Sequence, residues 1–153
     1  MSLFTTPQQS ARKRSRNPQR GAAAVEFALV LPLFLALLMG TIDYGYFFFS
    51  DQIATNAARE GARAGTLVPP AAGAGAATGA ASAAASAYLA ANGLGCPGGG
   101  TCGITTTPID VTDAGMTTPA IDVVIDYQFV SLTGFTQIIL PAKVHAHAVM
   151  RWQ

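Results

Sequence analysis

Few side chains in this chain are of a type that does chemistry, and their spacing limits what they can do. Cys96 and Cys102 are the only two cysteines and flank the glycine-rich run Pro97-Gly98-Gly99-Gly100-Thr101. C-x5-C fits neither a redox C-x-x-C motif nor a zinc-knuckle spacing. A structural disulfide closing a short loop is the leading reading, with a pair of free thiols and a metal or redox pair as its alternatives. Such a disulfide suits an oxidising compartment, and a loop this short places its stabilisation at or below the low end of the usual ~2–4 kcal/mol. His145 and His147 stand two apart in an alternating segment and so share one strand face. That spacing allows joint metal ligation, but no third ligand is identifiable. The competing reading has them facing solvent opposite Asp122 or Asp126. No nucleophile–base pair, phosphate-binding glycine loop or paired-carboxylate site stands out. The expectation is a non-enzymatic protein with no cofactor, no bound metal and no small-molecule substrate.

Two further acids are informative because of where they stand. From Phe27 to Ile42 the chain has no charge, and extension to Phe49 gives 23 residues interrupted only by Asp43. Twenty helical residues rise about 30 Å, the thickness of a bilayer's hydrocarbon core. Ten of residues 27–42 are Leu, Ile, Val or Phe, each worth roughly −0.3 to −0.6 kcal/mol on the insertion scale. Their sum of about −3 to −6 kcal/mol outweighs one acid near an end. Asp43 then reads either as a headgroup-level acid beside Tyr44 and Tyr46 or as a functional intramembrane acid. Pro32 removes an amide donor and is expected to kink the helix against Ala28. Glu26, at the opposite end, is costly there unless it finds a cation.

Composition agrees with a membrane protein. The 153 residues are 50% apolar and 11% charged, less than half the roughly 25% charge of an ordinary soluble domain. The net charge of +1 hides an asymmetry: Arg12, Lys13, Arg14, Arg16 and Arg20 crowd the first 20 residues, leaving four bases against eight acids from residue 21 onward. Nucleic-acid binding by the body of the chain is thereby disfavoured. The basic leader, expected to be disordered, places the N-terminus in the cytoplasm and the C-terminal part outside by the positive-inside rule.

After the apolar run, helix is expected to continue through residues 50–66, with Ile53, Ala57, Ala58 and Ala64 on one weakly apolar face and Glu60 paired to Arg63. Pro69-Pro70 ends it. Ala80–Ala91 is helical on propensity, stopped by Asn92-Gly93, although glycines at 73, 75 and 79 leave its start open. Beyond residue 103 the period becomes two. Residues 121–130 and 143–151 read as strands, and 104–112 as a third strand or a pair broken at Pro108. Asp113-Ala114-Gly115 supplies a turn. Tyr88 and Trp152 read as core or interface aromatics. The expected fold is α+β: a long N-terminal transmembrane helix, then a small extracytoplasmic domain of helix plus a three- or four-stranded antiparallel sheet. Four regions follow: a leader to residue 21, the long helix to 68, an Ala/Gly-rich segment with the cysteine loop to 103, and a β region to 153.

The membrane junction reads Arg20-Gly21-Ala22-Ala23-Ala24-Val25-Glu26-Phe27. Were the chain cut after Gly21, Ala22 would carry a free ammonium, and Glu26, one turn on, would share its face. The glutamate would then neutralise its own terminus or a neighbour's. An uncut anchor with Glu26 among cytoplasmic headgroups is the alternative. At this junction the sequence resembles the class III signal of type IV prepilins and pseudopilins. More specifically, GAAAVEFALVLPLFLALLMGTIDYG followed by QIATNAAREGARAG, with its Ala58-Arg59-Glu60-Gly61-Ala62-Arg63 motif, resembles the TadE-like minor pilins or pseudopilins of tight-adherence (Flp) pilus systems. The likeness covers about residues 20–66. It implies cleavage between Gly21 and Ala22 by a prepilin peptidase, other pilins or pseudopilins of one assembly system as partners, and packing through Ala22–Ala24, Phe27, Ala28, Ala36 and Gly40. The region after Pro70 departs from major Flp pilins, which are little more than a helix, and implies an accessory or tip role.

Overall fold

The computed structural model describes residues 18–95, 102–134, 136, 141 and 143–152, with side chains from Gly21 onward. A helix α1 runs over Pro18–Thr66, a single 3-10 turn over Pro70–Ala72 and a helix α2 over Ala74–Ala91; strands β1, β2 and β3 follow at Cys102–Asp113, Met116–Gln128 and Lys143–Arg151. The chain divides into a unit ending at Ala36 and a larger one from Leu37 onward.

The first unit is helical from Pro18, and its described side chains are exposed up to Ala36. The expected disorder through residue 20 is therefore corrected at its end. Proline is suited to the first turn, where its missing amide costs nothing, and the alanines that follow favour helix. Pro32 lies inside α1 without ending it.

In the larger unit, β1, β2 and β3 form an antiparallel meander in that order. The hairpin between β1 and β2 turns on Ala114 (φ 49°) and Gly115 (φ 81°). Positive φ at both central residues is the turn geometry whose twist matches paired strands. The expected break at Pro108 is absent, because Pro108 pairs with Ile121 in an unbroken ladder. Among the described residues β1 pairs with β2 alone, and an edge strand tolerates a residue without an amide proton. Strand β2 starts at Met116, five residues before the expected Ile121, and ends at Gln128 rather than residue 130.

One face of the sheet carries Ile121, Val123, Ile125, Val144 and Ala146, all buried, each large apolar side chain worth roughly 1.5–3 kcal/mol on burial. Both helices cover this face. Helix α2 buries Ala77, Ala81, Ala85 and Leu89 at every fourth residue. Helix α1 buries Ile53, Ala54, Ala57, Ala58 and Ala62. Gly61 and Gly65 are also buried there, whereas Ala64, expected on this face, is half-buried. A Cβ on Gly61 would lie 2.8 Å from the Ala81 carbonyl oxygen, and one on Gly65 would lie 3.1 Å from that of Ala77. The backbones thus meet at glycine. Helix α2 begins at Ala74, six residues ahead of the expected Ala80; its early glycines cost little against this packing. Its end is as expected: Gly93 (φ 78°) follows the Asn92 cap, Gly93 N donates to Ala90 O, and Leu94 N donates to Leu89 O at 2.9 Å. Buried Leu94 closes the hydrophobic contact that accompanies this Schellman geometry. Trp152 is buried, with Nε1 donating to Val68 O at 2.7 Å, and Tyr88 packs half-buried on the core.

Candidate functional site: the apolar helix and its two acids

A stripe of side chains on α1 turns inward from Gly40. Asp43 is fully buried, Tyr46 and Phe47 are half-buried, and Ser50 is buried, at helical three- and four-residue steps. Opposite them lies the segment after β2. Phe129 is buried, its ring centroid 5.7 Å from Tyr46 and 5.3 Å from Phe47. The chain then turns at Gly134 (φ 73°), and its threonines converge on Asp43. Thr133 donates from N at 3.0 Å and from Oγ1 at 2.6 Å; Thr136 donates from N at 3.4 Å and from Oγ1 at 2.6 Å. Four donors match what an ionised carboxylate can accept. Neither sequence reading of Asp43, a headgroup-level acid or a functional intramembrane acid, named a partner for it within the chain. It is an internal acceptor, satisfied by a loop 90 residues away in the chain. The loop's SLTG stretch carries the only sequence signal, hydroxyls beside a glycine, and nothing in it points to Asp43.

Glu26 has the opposite environment. It is exposed, as are Gly21, Ala22, Phe27 and Pro32, and it makes no hydrogen bond or ion pair among the described residues. Gly40 is half-buried, with open space where a Cβ would stand. Within the family motif, Ala58, Gly61 and Ala62 form the buried crossing with α2, whereas Arg59 and Arg63 are exposed. Arg63 pairs with Glu60 at 3.3 Å, as the spacing predicted.

The two histidines lie on the sheet face away from the helices. His147 Nε2 is 2.8 Å from Asp122 Oδ1, and His145 Nδ1 meets Asp126 Oδ1, its direct cross-strand neighbour. Each imidazole has its own carboxylate. No group of three or more ligating side chains able to hold a metal occurs among the described residues, so the reading of paired histidines as ligands gains no third partner. Cys102 opens β1, half-buried against the core; Cys96, and with it the cysteine pairing, lies outside the described residues.

These features define a class first. The part of α1 from Gly21 is long and apolar enough to cross a membrane, and its apolar stretch is wholly unburied; an α+β domain follows it in sequence. Residues 21–63 match the family model of TadE-like protein, the segment that holds Glu26, Asp43 and the Ala58–Arg63 motif. No curated protein and no solved structure matches the chain.

Proposed function

We propose that this chain is a non-enzymatic minor pilin or pseudopilin that supports assembly of a tight-adherence pilus, and through it surface adhesion or secretion. In this reading it is held by one span in a bacterial inner membrane, its N-terminus cytoplasmic and its domain periplasmic or extracellular. A prepilin peptidase cuts between Gly21 and Ala22, and partner pilins pack on the exposed apolar helix.

The observation that carries the proposal is the contrast between the two acids in the TadE-like segment. Asp43 has its partners within the chain, whereas Glu26 stands exposed on an apolar helix with none among the described residues. A lone carboxylate at the start of a span needs a cation, and a cut after Gly21 creates one at Ala22, four residues away on the same face. Small residues Ala22–Ala24, Ala28, Ala36 and Gly40 permit close approach by a neighbouring helix.

Intact-mass and N-terminal peptide analysis of the protein from its native membrane tests this. A mature chain beginning at Ala22, dependent on a prepilin peptidase, supports the proposal. A chain retaining residues 12–20 overturns it in favour of a permanently anchored binding or scaffold protein.

A further inference from the structure

The donors around Asp43 belong to a loop with an exposed apolar side. Leu132 is 66% exposed and Val130 56%, on either side of buried Ser131. This loop covers one face of α1, while on the uncovered faces at the same level Tyr44 is 55% exposed and Phe48 45%. Counted from Phe27, just past Glu26, about 20 residues fill a hydrocarbon core, which brings its outer boundary to the level of residues 43–49. Tyr44 and Tyr46 are the residue type that collects at that boundary. A loop hydrogen-bonded to Asp43 is therefore at the membrane surface whenever α1 spans it.

Irregular backbone at membrane depth is tolerated only where protein satisfies its polar groups. Asp43 does so at two points of this loop: its two oxygens accept the amides and the hydroxyls of Thr133 and Thr136, while Ser131 Oγ stays buried without a partner among the described residues. We infer that the segment of residues 129–134, tied through Thr133 to Asp43, is a second membrane contact, in which Val130 and Leu132 enter the outer lipid interface while Asp43 serves as the internal acceptor for the Thr133 and Thr136 amides. The inference rests on α1 spanning a bilayer and not on the pilus reading.

The test uses the full chain, with Leu132→Trp, in phosphatidylcholine–phosphatidylglycerol vesicles containing lipid brominated on the acyl chain. Trp152 is the only native tryptophan and bonds Val68, some 25 residues past Asp43 and so about 35 Å further along the helix direction. It serves as the reference that brominated lipid leaves unquenched. The expected result is an added, blue-shifted emission from the L132W chain that brominated lipid quenches. Asp43→Ala in that background is expected to reduce the quenching by releasing the loop. A water-like emission quenched by aqueous iodide, from chain that still resists carbonate extraction, overturns the loop contact and leaves the span standing. A blue shift insensitive to bromine that grows with the protein-to-lipid ratio also overturns it, assigning the loop to a second copy of the chain.

Discussion

Glu26 and Asp43 are both carboxylates in one apolar stretch, yet their surroundings give them opposite work. Replacing Glu26 removes an exposed charge with no partner among the described residues, so Glu26→Ala is expected to leave membrane insertion intact and abolish incorporation into the pilus. Fractionation of membranes and sheared pili checks this, and normal incorporation would end the proposed role of Glu26. Replacing Asp43 removes an acceptor shared by two hydroxyls and two amides. Asp43→Ala is expected to expose residues 129–134 to protease without affecting the proposed cut after Gly21, as limited proteolysis of the membrane-bound protein would show. At Trp152 the Nε1–H bond to Val68 O ties the chain's last described residue to the turn after α1. Trp152→Phe is expected to cost about 1 kcal/mol, as for a typical hydrogen bond, measurable by denaturant titration. In the histidine–aspartate pairs the imidazoles are exposed and the carboxylates half-buried, and ion pairs open to solvent on one side contribute little.

Among the elements, the crossing of α1 and α2 sets the architecture. Helix α2, built mostly of alanine, glycine and serine, and the alanine- and glycine-lined face of α1 stabilise each other because their backbones come close enough for dispersion contacts at Gly61 and Gly65. Gly61 is the tightest point. Gly61→Ala would gain roughly 0.5–1 kcal/mol of helix propensity, but its Cβ meets backbone rather than a flexible side chain. Overpacking of about 1–3 kcal/mol is expected to win, and Gly61→Val to be worse. Gly79 is the control: it lies inside α2 with open space around it, so Gly79→Ala is expected to stabilise by about 0.5–1 kcal/mol. Thermal unfolding of the two variants side by side checks the opposed signs. Equal stabilisation by both would show that the close crossing does not form.

For the whole molecule, the division of labour follows the apolar surface. α1 leaves its large apolar side chains from Val25 to Ile42 exposed, then turns a face inward from Asp43 and buries it more fully from Ser50 onward. An uncovered stretch of this size needs lipid or other helices around it. The proposed topology predicts that protease added outside spheroplasts digests the domain while the N-terminal side stays protected. Degradation from the cytoplasmic side would reverse the orientation. The cysteine loop is proposed to be oxidised in that compartment, and alkylation of the protein under non-reducing conditions would then label neither thiol.

Local chemistry alone determined a good deal: the long apolar helix from its uncharged run, the Asn92-Gly93 stop, the turn at Ala114-Gly115, β3 from strict alternation, and the Glu60–Arg63 pair from its spacing. These are short-range matters, set by backbone preference and by neighbours within a turn or a strand. The TadE-like likeness of residues 21–63 was legible too, since it lies in consecutive residues. Only tertiary structure decided the rest. Nothing near Pro108 shows that β1 is an edge strand able to carry it, and nothing near Ala74 shows that packing would extend α2 past its glycines. Gly61 and Gly65 read as helix-weakening residues until a second backbone is placed against them. Asp43 finds its donors 90 residues on, across a loop whose sequence carries no mark of the encounter, because hydrogen bonding between distant segments depends on where the fold brings them together.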